Sequence, residues 1–117
     1  THTVTYRVQA NNANSGDFRA AVSVHLREPF NYTQLEADVA GYRNLGPSGF
    51  ATLAESQAGF QTVEAAGTSL ADKRPGQGPG THCLDGELTV VYRARLKSDA
   101  PEGTETGSVI VTFHDGN

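Results

Sequence analysis

The chain has 117 residues, 37% of them hydrophobic, which is enough for a single domain over residues 1–117 with one core. Its net charge of −4 and its scattered lysine and arginine residues provide no basic surface for a nucleic acid. No apolar run approaches the roughly 20 residues that cross a bilayer, so membrane insertion is not expected.

Two segments near the start of the chain alternate apolar and polar residues with a period of two, as half-buried strands do. The first is residues 1–10, whose apolar face is formed by Val4, Tyr6, Val8 and Ala10. Residues 18–26 alternate in the same way. Pro29 ends this second strand, because proline lacks the amide needed to continue a ladder.

The segment that follows fits either a short helix or a strand. Three apolar residues have the spacing of one helix face: Leu35, Val39 and Tyr42. Thr33 and Glu36 match a capping box at the start of such a helix. These features predict a short helix over residues 33–42. A strand over residues 35–39 is the competing prediction.

The middle of the chain is punctuated by turn-forming residues. Short strands are predicted over residues 48–53 and 59–64, around Phe50 and Phe60. Residues 65–82 show no periodicity and become rich in glycine and proline, so they are predicted to form a mobile surface loop.

The last third of the chain carries the clearest alternation, in residues 87–96 and 108–114. A turn-rich segment joins the two, so they are predicted to form a β-ribbon that a second sheet must cover. The predicted core comprises Phe18, Val22, Val24, Leu88, Val90, Tyr92, Val109, Val111 and Phe113. Short strands separated by turns favour an all-β, immunoglobulin-like antiparallel β-sandwich.

The sequence contains no convincing catalytic or metal-binding pattern. The histidines lack ligand spacing, and Glu102 with Glu105 lies in a loop where burial would not tune either carboxyl group. Cys83 follows His82, and adjacent side chains of an extended segment point apart, so the two form a poor thiolate–imidazole pair. A non-enzymatic protein without a cofactor or metal is therefore expected.

Both ends of the chain resemble chaperone–usher fimbrial subunits. The run from Ala100 to His114 is similar to the ending of such subunits: a Pro/Gly turn, Gly-Thr, then a strand of alternating valine and aromatic residues. The Thr/Val-rich residues 1–10 resemble their N-terminal extension. The resemblance implies that Val4, Tyr6, Val8 and Ala10 fill a groove in the next subunit by β-strand addition. The alternative is that residues 1–10 are the first strand of their own sandwich.

The resemblance further implies a secreted or cell-surface structural or adhesive subunit, whose partners are identical or related subunits and a glycan or protein receptor. The absence of methionine and the start at Thr1 lead us to expect a processed chain, consistent with removal of a secretory signal. The alternative function is a monomeric carbohydrate- or ligand-binding module. In that module Phe30, Tyr32 and Tyr42 would stack on the ligand.

Overall fold

The computed structural model describes residues 1–11, 20–73, 83–97, 102–103 and 105–114, and every regular element among them is a β-strand. The strands are β1 (His2–Asn11), β2 (Ala21–Leu26), β3 (Thr33–Asn44), β4 (Leu53–Glu55), β5 (Gln61–Thr62), β6 (Thr68–Lys73), β7 (Cys83–Leu96) and β8 (Val109–His114). Two four-stranded sheets form, a β1 sheet of order β1-β7-β3-β5 and a β2 sheet of order β4-β6-β2-β8. All the strand pairings in them are antiparallel, so the predicted all-β sandwich is confirmed.

The core lies between the two sheets and is formed by the alternate residues that face inward from each strand. The most deeply buried large side chains are Leu84, Leu88, Val22, Val24 and Val90. The predicted core positions in β2 and β7 are confirmed, including Tyr92, which is 8% exposed. Val109, Val111 and Phe113 are only partly buried, because β8 is an outer strand. Phe18 lies outside the described residues.

The helix predicted over residues 33–42 is wrong, because these residues form most of strand β3. Leu35, Ala37 and Val39 alternate along β3 and pair with β7. A register shift between Val39 and Gly41 then adds one residue, which returns Tyr42 to the core-facing side. Because of this bulge, Val39 and Tyr42 lie on the same side of the strand although they are three residues apart. That spacing is also typical of one face of a helix.

The loop predicted over residues 65–82 is also wrong in part, because Thr68–Lys73 is strand β6, which lies between β2 and β4. Leu70 and Ala71 are both buried, although they are adjacent in sequence. The pairing of β6 with β2 skips a residue at this point, and that shift removes the alternation that marks a strand. Residues 74–82 lie outside the described part of the chain.

The predicted ribbon of residues 87–96 and 108–114 does not form, although both segments are strands. β7 pairs with β1 and β3, whereas β8 pairs with β2 in the other sheet. The two apolar faces therefore meet across the sandwich. The strand predicted over residues 48–53 is shorter and displaced to β4, and the strand predicted over residues 59–64 is shortened to β5 within that range.

Candidate functional site at the free edge of strand β1

Strand β1 is an outer strand of its sheet and pairs on one side only, with β7. The pairing runs without a register break through ten residue pairs, from His2 opposite Tyr92 to Asn11 opposite Cys83. In this chain, residues 1–10 therefore lie on their own domain. No strand among the described residues occupies the other side of β1.

The four apolar residues singled out from the sequence lie together on the core-facing side of β1. They are Val4, Tyr6, Val8 and Ala10. Val8 is only 4% exposed, and the other three are partly buried against the core. Val8 lies opposite Gly86 of β7, where a side chain is absent. These residues contribute to the core of this chain, and the same contacts are available to any chain whose β1 takes that position.

Three polar side chains in the middle of β1 turn toward β7 and away from the free edge. Three pairs make this contact: Thr5 with Thr89 (3.2 Å between Oγ1 atoms), Tyr6 with Tyr92 (2.8 Å between hydroxyl oxygens) and Arg7 with Asp85 (Nη2 to Oδ2, 3.1 Å). These side chains therefore do not cover the backbone amides and carbonyls on the outer side of β1. Such groups recruit another strand, and natural edges usually carry charges, proline or bulges against this.

The ion pair of Arg7 with Asp85 neutralises the one strong charge of β1. Arg7 also donates a hydrogen bond from Nε to Oδ1 of Asp85 (3.2 Å), so the contact is bidentate. The hydrogen bond from Arg7 lowers the pKa of Asp85 against the opposing effect of its partial burial, and the same bond raises the pKa of Arg7. Both groups are thus held charged and paired on the outward face of the β1 sheet.

The structure does not bring the three candidate stacking aromatics together. Tyr32 precedes β3 and Tyr42 lies near its other end, about 30 Å away at the rise of a β-strand. The phenol of Tyr42 faces the core over Gly86, its hydroxyl is buried without a hydrogen-bond partner, and burial raises its pKa to about 12. Phe30 is partly buried beside Gly107. Only Tyr32, at 43%, is an exposed aromatic of the three.

Tyr32 lines a shallow depression of about 210 Å³ at one end of the sandwich. Leu96, which is 77% exposed, and the carboxylates of Glu102 and Glu105 line it as well. The sequence-based interpretation singled out Tyr32 but placed Glu105 in an open loop, and so missed that the two are neighbours. No local pattern reveals this contact, because the residues are 73 positions apart.

Glu105 ties the segment before β8 to the turn between β2 and β3. Its carboxylate accepts hydrogen bonds from the amides of Asn31 (2.8 Å) and Tyr32 (2.7 Å) and from the hydroxyl of Thr33 (3.0 Å). Partial burial opposes ionisation of Glu105, but these hydrogen bonds outweigh it and lower the pKa of the carboxyl group. The folded state therefore binds its proton less readily than the unfolded chain does.

This lowered pKa predicts that Glu105 stabilises the fold above its unfolded pKa, near 4.5, and that the contribution is lost as the pH falls through the folded-state pKa. We expect Glu105→Gln to lower the free energy of unfolding at pH 7 and to have little effect at pH 3. Urea unfolding followed by circular dichroism at both values measures this. Glu102→Gln is the matched control. An equal effect of Glu105→Gln at the two pH values would contradict the prediction.

A second polar cluster, which the sequence analysis also missed, lies on the outer face of the β1 sheet. Glu36 of β3 is only 7% exposed and accepts a hydrogen bond of 2.7 Å from Nε of Arg93 on β7. This bond lowers the pKa of Glu36, with partial burial opposing it. The guanidinium of Arg93 stacks 3.7 Å from the ring centroid of Phe60. The bond between Glu36 and Arg93 joins β3 to β7, so we assign the cluster a structural role.

The described residues contain no group of three histidine, cysteine, aspartate or glutamate side chains placed to hold a metal ion. They also include no helix with the length and apolar character to span a membrane. The described residues offer two features for recognition: the one-sided pairing of β1 and the depression beside Tyr32. Comparison of the chain with family models, with curated proteins and with solved structures found no match.

Proposed function

We propose that this chain is a non-enzymatic structural or adhesive subunit of an extracellular, fimbria-like filament. In this proposal the sandwich is immunoglobulin-like, and neighbouring copies exchange strand β1. The observation that carries the proposal is that β1 pairs with β7 alone, and not with β2, the strand that follows it in the sequence. β1 of one copy can therefore replace β1 of another copy without disturbing any other pairing.

Exchange of β1 conserves the interactions that hold it. A donated β1 would remake the ten pairs with β7, the burial of Val8 and the bond between Arg7 and Asp85. Only the connection to β2 must follow a different path, and its sequence contains asparagine, serine and glycine, which tolerate several backbone conformations. Because the same contacts form within and between copies, strand exchange is a low-cost route to assembly.

A covalent link between β1 and β7 of one chain tests strand exchange. Thr5 and Thr89 lie directly opposite each other, with their Oγ1 atoms 3.2 Å apart, so cysteines at both positions are placed for a disulfide. We expect a Thr5→Cys/Thr89→Cys protein, made in a Cys83→Ser background and oxidised while it is monomeric, to form no assemblies larger than a dimer. Reduction should allow them to form. Light scattering and electron microscopy provide the measurement.

The control for this link joins two strands of the other sheet. Ser23 of β2 and Thr112 of β8 are also direct partners, and β1 takes no part in their pairing. The oxidised Ser23→Cys/Thr112→Cys protein, in the same Cys83→Ser background, should assemble as the unlinked chain does. Assembly that persists beyond dimers when β1 is linked to β7, or a chain that never assembles, would overturn strand exchange.

A second function, binding of a carbohydrate or other small ligand, is favoured by the exposed phenol of Tyr32 beside the carboxylates of Glu102 and Glu105. An aromatic face with neighbouring hydrogen-bond acceptors suits a sugar ring, although Tyr32 works there without Phe30 and Tyr42. The oxidised, linked protein separates the two functions, because its β1 cannot be exchanged whereas its Tyr32 surface remains available. Saturable binding of this protein on a glycan array, together with an unlinked chain that never forms filaments, would favour the second function.

A further inference from the structure

We infer that the free edge of β1 pairs antiparallel with the same edge of a second copy of this chain. Pairing across a two-fold axis would merge two four-stranded β1 sheets into one continuous sheet. This contact uses the outer side of β1, whereas strand exchange uses the side that faces β7. The inference therefore goes beyond the proposed function and does not depend on it.

The edge of β1 is the longest sheet edge in the described part of the chain. β1 has ten residues, compared with six in β8, three in β4 and two in β5, which are the other outer strands. Its register with β7 is unbroken over all ten residue pairs. Its outer amides and carbonyls therefore have the even geometry that another antiparallel strand requires.

The edge also carries none of the usual protection against pairing. Residues 1–11 contain no proline, glycine or lysine. The single strong charge, Arg7, is held by Asp85 on the opposite side of the strand from the free edge. An unpaired edge of this length without a charge directed over it is open to strand addition.

Local charge argues for a second copy as the partner. The paired Arg7 and Asp85 leave the edge near neutral, although the whole chain carries −4, so two copies can approach here with little repulsion. A strongly acidic or basic partner would find no complementary charge. Arg7 also limits the register, because a two-fold axis through Arg7 would place two guanidinium groups opposite each other. Axes through Thr5 or Tyr6 avoid this.

The size of the contact sets its strength. A single strand edge buries less surface than the roughly 1,200–2,000 Å² of a standard stable interface. The pairing is therefore expected to be a reversible dimer that forms as the protein concentration rises. Because the two-fold axis closes the assembly, pairing at this edge alone stops at two copies.

The experiment is sedimentation of the full chain over a wide concentration range, with Thr5→Lys and Thr106→Lys as matched variants. Both residues are exposed and both changes add one ammonium group, but only residue 5 lies on the edge. With the axis at Thr5, the new lysine faces the same lysine of the second copy. With the axis at Tyr6, it faces Arg7 of the second copy. We expect Thr5→Lys to weaken dimerisation at least about tenfold and Thr106→Lys to leave it unchanged.

Two further measurements separate edge pairing from strand exchange and from misfolding. The oxidised Thr5→Cys/Thr89→Cys protein should still form dimers, because the link leaves the outer edge free. In the unmodified chain, every second amide of β1 should gain protection from hydrogen exchange as dimers form. Thr3→Lys/Gln9→Lys provides a second edge variant if Thr5→Lys fails to fold, because the lysine at residue 3 faces Arg7 with the axis at Thr5 and faces the lysine at residue 9 with the axis at Tyr6. Dimers that both edge variants leave intact, or a linked chain that stays monomeric at every concentration, would overturn the inference.

Discussion

Replacement of Leu88 by alanine is expected to lower the free energy of unfolding by about 2–5 kcal/mol. Leu88 is fully buried in β7, between Tyr6 of β1 and Tyr42 of β3 in the register of the sheet. The removed atoms lose their transfer free energy, and strands on both sides restrain the collapse of the resulting cavity. Urea unfolding followed by circular dichroism measures the change, and tyrosine fluorescence can follow it because the chain has no tryptophan.

Leu96→Ala is the matched control for this prediction. Leu96 belongs to the same strand and alternates onto the same side as Leu88, but it is 77% exposed. Its truncation should change the free energy of unfolding by no more than about 0.5 kcal/mol. The two variants remove the same atoms, so the difference between them isolates burial. Similar small effects at both positions would mean that the core is not centred on this part of β7.

Gly86→Ala should destabilise the protein by about 1–3 kcal/mol, although it adds only a methyl group. That methyl group would meet the phenol of Tyr42 and would lie 2.7 Å from the carbonyl oxygen of Arg43. The phenol can move only by giving up its place in the core. The carbonyl belongs to the backbone of β3, so displacing it strains the pairing of β3 with β7. The melting temperature and the urea midpoint should both fall.

Gly41 supplies the comparison for Gly86 within the same sheet. A methyl group at Gly41 would meet no atom within 4 Å, and this glycine is not among those with positive φ. Gly41→Ala should therefore be neutral or stabilising by up to about 1 kcal/mol, since alanine has less backbone freedom to lose on folding. If Gly86→Ala were as harmless as Gly41→Ala, the close packing of Tyr42 over β7 would be contradicted.

The sequence predicted the strands whose core-facing residues alternate without interruption. β1, β2, β7 and β8 are of this kind, and each lies where its alternation indicates. β6 was missed, and β3 was predicted only as the competing strand over residues 35–39, because a bulge in each pairing breaks the period of two. Alternation also says which side of a strand faces the core but not which strand lies beside it. For this reason the predicted pairing of residues 87–96 with residues 108–114 was wrong.

The candidate site was predictable to a similar degree. The composition of residues 1–10 already indicated an unprotected strand, since only Arg7 carries a strong charge there. The sequence could not show that Asp85 holds Arg7 away from the free edge, because that contact joins residues 78 positions apart. Tyr32 was singled out from the sequence, but its contact with Glu105 was missed for the same reason. Short-range patterns carry no information on which distant segments become neighbours.

The pairing of β1 with β7 has a consequence during synthesis. About 85 residues separate the end of β1 from the end of β7, so at 5–20 residues per second β1 leaves the ribosome roughly 4–17 s before its partner is complete. Throughout that interval both sides of β1 lack a neighbour, and Val8 has no core to enter. The strand made first thus gains its pairing late, and nascent chains on one messenger RNA expose this segment to one another before any of them can fold.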